Sequence, residues 1–262
     1  MDAGAIEGIT LKDLNPLYEA FDEDDDEHGN PVFLYSSFGY VTQDFFAYFG
    51  RSPLRKYDLT PTAIEENLKL LPDSDVYPKV PPGATTISSP LHSKFFLKTP
   101  KLNTVFQGTG LLPKLILQEI GVLEVLEKTP HPHIVRYHGC LTARDLVVGL
   151  VFDRHPKILY QRLEGNDGSF DVKSCMESIT DATKHLHALG LAHNDLNPAN
   201  VMVRDDDTIC VIDFGSCRPF GSRLITAGSV GWIDEEFTTS DLKHDEVAID
   251  KLRDWLEGGR RG

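Results

Sequence analysis

Two neighbouring stretches, HNDLNPANVMV (residues 193–203) and VIDFGSC (residues 211–217), decide how the whole chain reads. The first sets His193, Asp195 and Asn200 at fixed intervals before an apolar triplet. The second runs apolar as far as Asp213 and breaks at Gly215. Between them NVMV, the turn DDD and TICVID have the alternation and turn residues of a β-hairpin. Asp195 and Asn200 then lie on a loop entering the first strand, so that one side chain can face an acceptor while the other turns toward a metal. Asp213 ends the partner strand, which would bring its carboxylate beside Asn200. Only 18 residues separate Asp195 from Asp213, room for one short hairpin. A polar turn between two apolar runs would explain either stretch alone. Their order, spacing and strand context together suit phosphoryl transfer, which needs a carboxylate to orient a hydroxyl, oxygen ligands for a hard ion such as Mg²⁺, and a cation on the phosphates.

The chain around them has 262 residues, 40% of them apolar, enough to bury a substantial core in one large or two-lobed domain. Its formal charge is −14, with six acids together from Asp22 to Glu27, a run expected to be a solvated loop. Such a balance argues against nucleic acid as a partner. Cys140, Cys175, Cys210 and Cys217 are scattered without CxxC pairs, as expected of reduced thiols in an intracellular protein, cytoplasmic or nuclear. The N-terminus has no basic start followed by an apolar core, and no apolar run reaches membrane-spanning length, so no membrane partner is expected.

Residues 1–85 differ from the rest: the acidic run, an aromatic-rich stretch from Val32 to Gly50, the helix-like TPTAIEENLKLLP opening at Thr60, and a Pro/Gly segment. Then comes a strand, KFFLKT, and a helical pattern through LLPKLILQEIGVLEVLEK, with Leu115, Ile116, Glu119, Leu123 and Leu126 at helical spacing. The turn HPHIV and two strand-like runs, IVRYHG and LVVGLVF, lead to a second helix, DVKSCMESITDATKHLHALG. Its apolar face is Met176, Ile179, Ala182 and Leu186, and Gly190 is placed to end it. Strands first and helices later predict an α+β fold, a small sheet-containing lobe followed by a helical one.

On these residues the chain resembles the protein kinase superfamily, in which an HRDxxxxN loop and a DFG turn occur in this order. The resemblance covers roughly residues 75–258. It implies a two-lobed kinase-like fold, with residues 1–85 an N-terminal extension, 86–155 a small β-rich N-lobe, and 156–262 a shortened helical C-lobe ending near the helix that contains Asp245. It implies ATP and Mg²⁺ as cofactors and a protein substrate. Asp195 is similar to the catalytic aspartate, Asn200 and Asp213 to the metal ligands, Lys98 to the strand lysine that holds nucleotide phosphates, and Glu119 to its helical ion-pair partner. Phe152, Asp153 and His155 fall where the family's hinge binds adenine through backbone groups, with Phe152 as gatekeeper. Ser229 stands where serine/threonine kinases carry a threonine, Glu236 where they carry a structural glutamate, and Asp245 where a buried aspartate ties the catalytic loop to a core helix. HNDLNPAN, IDFGSCRP, GxxGW and KTPKL look most like a divergent group of fungal serine/threonine kinase-like proteins.

The pattern departs from the family in four places. The stretch PPGATTISSPLHSK before Lys98 has one glycine, not a GxGxxG cradle, so phosphate binding would lean on Lys98 and the metal. Asn194 replaces the arginine that docks an activation-loop phosphate, which argues against that route of activation. Asn197 replaces a lysine near the transferring phosphate, and a neutral amide cannot neutralise developing charge. The helix bearing Asp245 is followed closely by Gly262, leaving Arg260 or Arg261 to partner Glu236. Two other classes stay open on the residues: a small-molecule kinase of the aminoglycoside phosphotransferase kind, which shares the H-x-D-L-x-P-x-N loop, and a pseudokinase scaffold.

Other features carry blander readings. His131, His133, His138, His185 and His187 show no convergent acidic partner and are expected to be surface or satisfied histidines. His193 is expected to pack beneath the loop, Phe214 against the Glu119 helix, and Cys217 to be a buried, inert thiol.

Overall fold

A computed structural model describes residues 8–87, 92–102, 108–165, 168–226, 228–233 and 238–258. Glu236, Arg260 and Arg261 lie outside the described residues, as does the 88–91 part of the glycine-poor stretch before Lys98. The chain divides into two compact units. One comprises Met1–Val80, Thr99–Ile116 and Thr142–Gly149, the other Pro81–Lys98, Leu117–Leu141 and Leu150–Gly262.

The first unit is built on an antiparallel sheet of β1 (Leu17–Asp25), β2 (Pro31–Val41), β3 (Ala47–Ser52) and β4 (Lys69–Leu70), in that order. The acidic run is exposed, as its charge requires, yet Asp22–Asp25 belong to β1 and not to a loop. An edge strand tolerates this, since charges there stay in water and discourage pairing with another chain. The aromatic stretch supplies core: Phe38 and Tyr48 pack with Ile9, Leu14, Leu59, Ile64 and Leu68. Helix α1 (Pro61–Asn67) starts where Thr60 Oγ1 accepts from Ala63 N–H and proline occupies the first turn, two familiar start signals. Gly50 lets β3 approach the end of that helix, because a Cβ there would lie 2.8 Å from Asn67 O and 2.7 Å from the Phe38 ring. A short helix, α2 (Asp73–Val76), follows, and Arg144 grips Asp73 through two bonds of 3.0 and 3.1 Å.

Elsewhere β5 (Thr86–Ile87) pairs in parallel with β7 (Tyr137–Ala143), and β6 (Phe95–Lys98) pairs antiparallel with β8 (Leu146–Asp153), giving the sheet order β5-β7-β8-β6. The residues of these two pairings belong to the second unit, while Thr142–Gly149 and the first six residues of the helix that follows are counted in the first. Helix α3 (Leu111–Lys128) buries Leu112, Glu119, Ile120, Val122, Leu123 and Leu126, while Leu115 and Ile116 are half-buried. The strand expected over IVRYHG begins later, at Tyr137. Ile134 and Val135 instead bridge to Val211, where Val135 N–H donates to Val211 O at 3.0 Å and Val211 N–H to His133 O at 2.9 Å. The chain before β7 therefore pairs with a strand from much further along.

Next come β9 (Lys157–Ile158), α4 (Leu159–Glu164) and α5 (Val172–Ala188), which buries Met176, Ile179, Ala182 and Leu186 as its period predicts, with Cys175 and Thr183 beside them. Gly190, at φ +74°, lets the chain leave α5 in the left-handed conformation that a glycine adopts without strain. Strand β10 (Leu191–Ala192) pairs with β13 (Arg218–Pro219), and the expected hairpin is β11 (Val201–Val203) against β12 (Ile209–Val211). Helix α6 (Leu242–Glu257) buries Asp245, Ala248, Leu252 and Leu256, while Val247, Ile249 and Trp255 are half-buried. The architecture is α+β, with a β-sheet N-terminal region and a helical C-terminal region, consistent with a kinase-like fold. Among the described residues no helix is long and apolar enough to cross a membrane.

The core of the first unit yields a direct test. Ile64 is fully buried, so Ile64→Ala is expected to lower the unfolding free energy by about 2–5 kcal/mol, read as a lower urea midpoint.

Candidate active site

The site lies within the second unit, and its charged centre starts from Lys98 at the end of β6. Pairing Lys98 with Leu150 of β8 fixes the strand that presents the ammonium. Nζ lies 2.7 Å from Glu119 Oε1 on α3 and 2.8 Å from Asp213 Oδ1, just beyond β12. Burial by itself would lower the lysine pKa, but the two carboxylates outweigh it and hold it above its ordinary value. The ammonium thus stays charged through neutral and mildly alkaline pH. Asp213 itself sits at φ +62°, and its Oδ1 also accepts from Gly215 N–H at 3.2 Å. A Cβ on Gly215 would stand 3.1 Å from that same oxygen, so glycine keeps room beside the charged group.

Asp195 lies on the loop before β11. Its Oδ1 accepts from Ser229 Oγ at 2.9 Å and Asn197 Nδ2 at 3.2 Å, and its Oδ2 from Asn200 Nδ2 at 3.1 Å. Asn200 Nδ2 also donates to Asp195 O at 2.8 Å, which turns the carbonyl oxygen of that amide away from Asp195. Ile212 N–H donates to Asn200 O at 2.9 Å, so the hairpin ladder sets the backbone of Asn200 one residue from Asp213. Asn200 and Asp213 offer hard oxygen donors of the kind Mg²⁺ accepts, and an ion that keeps several waters needs few protein ligands. Among the described residues no group of three or more His, Cys, Asp or Glu could hold a metal unaided, so phosphate and water would complete the shell.

The loop is held from below by Asp245. This fully buried carboxylate accepts from His193 N–H and Asn194 N–H, each at 2.8 Å, and from His187 Nε2 at 3.0 Å. The His193 ring is buried, donates through Nε2 to Ile212 O at 3.0 Å and lies against Phe214. Asn194, at φ +62° and 1% exposed, donates through Nδ2 to Ala192 O, Ser216 O and Ser240 Oγ and accepts from His244 Nδ1 at 2.9 Å.

The side chain of Asp153, one of the expected hinge residues, is engaged elsewhere. Asp153 Oδ1 takes His138 Nε2 at 2.7 Å, while His155 Nε2 is buried without a hydrogen-bond partner among the described residues, and burial pushes that imidazole's pKa down. Phe152, the expected gatekeeper, is buried with its ring against Tyr137. The histidines are better partnered than the sequence suggests: His131 meets Asp181 at 3.2 Å, His138 meets Asp153, and His187 meets Asp245. Those acids lie 15 to 58 residues away along the chain, so no local pattern announces them. Sequence reasoning also missed Gln118, Arg218, Ser240 and His244, which carry no motif of their own.

A family model described as "Protein kinase domain" matches residues 92–248, more than half of the chain. Among curated proteins, the chain is similar to the serine/threonine-protein kinase/endoribonuclease IRE1 of Hypocrea jecorina, 27% identical over 144 residues, 47% of this chain and 12% of that protein. It is similar to cyclin-dependent kinase 4 of Mus musculus, 29% identical over 143 residues, 51% of this chain and 47% of that one. Cell division control protein 2 homolog 3 of Trypanosoma brucei brucei is 28% identical over 127 residues, 47% of this chain and 39% of that one. The chain spans less than half the length of each of these relatives.

Two outcomes follow from this geometry. Lys98→Met leaves two carboxylates without their shared cation and is expected to lower stability by about 2–3 kcal/mol. Glu119→Gln in that background should recover part of the loss, and denaturation of the four proteins of the cycle measures the coupling. Burial pushes the Cys175 and Cys210 thiols up to about 12 and raises Cys217 and Cys140 as well. A maleimide at neutral pH is therefore expected to leave all four cysteines unlabelled in the native protein and to label them after denaturation.

Proposed function

The chain belongs to the protein kinase family, and on that footing we propose that it is an ATP-dependent protein kinase transferring the γ-phosphoryl group to serine or threonine hydroxyls. The observation that carries this reading is the Lys98 ammonium held between Glu119 and Asp213 in the unit that also presents Asp195 and Asn200. Phosphoryl transfer is mostly positioning and charge stabilisation, and this set provides both.

Lys98 binds phosphate oxygens, with Glu119 fixing the direction of its side chain. Asn200 and Asp213 hold the metal, and Mg²⁺ supplies charge neutralisation on the phosphates. Asp195 orients the acceptor hydroxyl and takes its proton. A carboxylate has about four lone-pair positions, and three side-chain donors reach this one, which leaves capacity for a substrate hydroxyl. The preference for serine and threonine is supported by Ser229, which stands where the family's serine/threonine members carry a threonine and whose hydroxyl donates to Asp195 Oδ1, as the Asn197 amide also does. Asn197 supplies a hydrogen bond and no charge, so a slow enzyme is expected. In the same reading residues 1–85 are an extension, 86–155 and 156–262 are the two kinase lobes, and the buried free thiols favour an intracellular setting.

Calorimetry with ATP, with and without Mg²⁺, should show metal-dependent binding that Asp213→Ala and Lys98→Ala weaken. Asp195→Asn is expected to keep that binding and to lower kcat on a serine/threonine peptide library by roughly 10²–10⁴-fold. A folded wild type that binds no ATP would leave a scaffold on a kinase frame. ATP binding with transfer only to small-molecule hydroxyls would move the enzyme to the aminoglycoside phosphotransferase kind.

A further inference from the structure

The turn after Asp213 has three successive backbone carbonyls, and each is taken by a buried side chain. Gly215 O accepts from Arg218 Nη2 at 2.9 Å, Ser216 O from Asn194 Nδ2 at 3.0 Å, and Cys217 O from Arg218 Nη1. The same Arg218 Nη2 reaches Gln118 Oε1 at 2.6 Å. Gln118 is the residue before Glu119 on α3. Ser240, 1% exposed, completes the set by donating to Arg218 O at 3.0 Å while accepting from Asn194.

Arg218 is 5% exposed, and its bonds here run to uncharged oxygens. Burying a guanidinium on neutral partners is costly unless its donors are spent in good geometry, and a planar fork fixes the groups it binds in direction as well as distance. Here the fork clamps two carbonyls of the Asp213 turn and one amide of the helix that carries Glu119. The two carboxylates that share Lys98 are thereby tied to each other a second time, through residues outside the set assigned to phosphate, metal and acceptor.

We propose that Arg218, acting through Gln118, is a positioning residue that latches the Asp213 turn to helix α3 and so sets the Lys98–Glu119–Asp213 geometry. The proposal rests on the kinase reading for its functional consequence, but the latch itself is open to a measurement that does not. Gln118 is only half-buried, so Gln118→Leu removes the acceptor with little demand on the core, and Gln118→Glu restores oxygens for the guanidinium.

The test uses the full chain and two readouts. Hydrogen exchange at the amides of Gly215 and Cys217, both bonded inside the turn, is expected to quicken about tenfold in Gln118→Leu and to return toward wild type in Gln118→Glu. Calorimetric affinity for Mg-ATP is expected to fall about tenfold in Gln118→Leu and to recover in Gln118→Glu, at a temperature where both variants are fully folded. Unchanged exchange in Gln118→Leu overturns the latch. Quickened exchange with wild-type Mg-ATP affinity also overturns the positioning role and reduces Arg218 to a structural residue. If the wild type binds no Mg-ATP, the kinase reading fails by itself, and the exchange comparison still decides the latch.

Discussion

The Lys98 ammonium is where a strand, a helix and a turn are forced into one geometry. Two carboxylates that both lie within 2.8 Å of one nitrogen repel each other in its absence, so the position of Asp213 depends on that of Lys98, and the orientation of Lys98 on Glu119. Glu119 is 5% exposed, and its burial is offset by the Lys98 ammonium 2.7 Å away. The helix that carries it is therefore held by charge as well as by its apolar face of Ile120, Leu123 and Leu126.

A second buried carboxylate plays the corresponding part beneath the loop that carries Asp195. Asp245 takes two consecutive amides of that loop, those of His193 and of Asn194, where the chain turns left-handed. Asparagine is among the residues that tolerate that conformation, and here its amide is spent on three oxygens. Where the family places an arginine that can dock a phosphate, this chain has a neutral, buried, fully used side chain. Through that side chain and Asp245 the loop is built into the core.

Much of the fold was legible because its signals are local. The spacing of Met176, Ile179, Ala182 and Leu186, the cap at Thr60, and the turn between β11 and β12 each follow from a helical period, a capping bond or a tight turn. The expectations that failed have two different physical reasons. Ile134 and Val135 read as strand beside Tyr137 but pair with Val211 instead, a partner from far along the chain, whereas the acidic run reads as loop but continues β1 in a local hairpin with β2, because an edge strand keeps its charges in water.

The sequence by itself determined which chemical groups this protein has and how they sit in short range: Asp195 five residues before Asn200, Asp213 at the end of a hairpin, a glycine two residues on. Only the tertiary structure decided which of them meet. Lys98 finds Glu119 across 21 residues and Asp213 across 115, Asp245 finds the amide of His193 across 52, and Arg218 finds Gln118 across 100. For Lys98 and Glu119 the pairing was suggested by family resemblance; for Arg218 and Gln118 nothing in the sequence suggested it. Bonds that close such long loops leave no periodic trace, since closure entropy grows only slowly with length and desolvation in the folded core selects the partner.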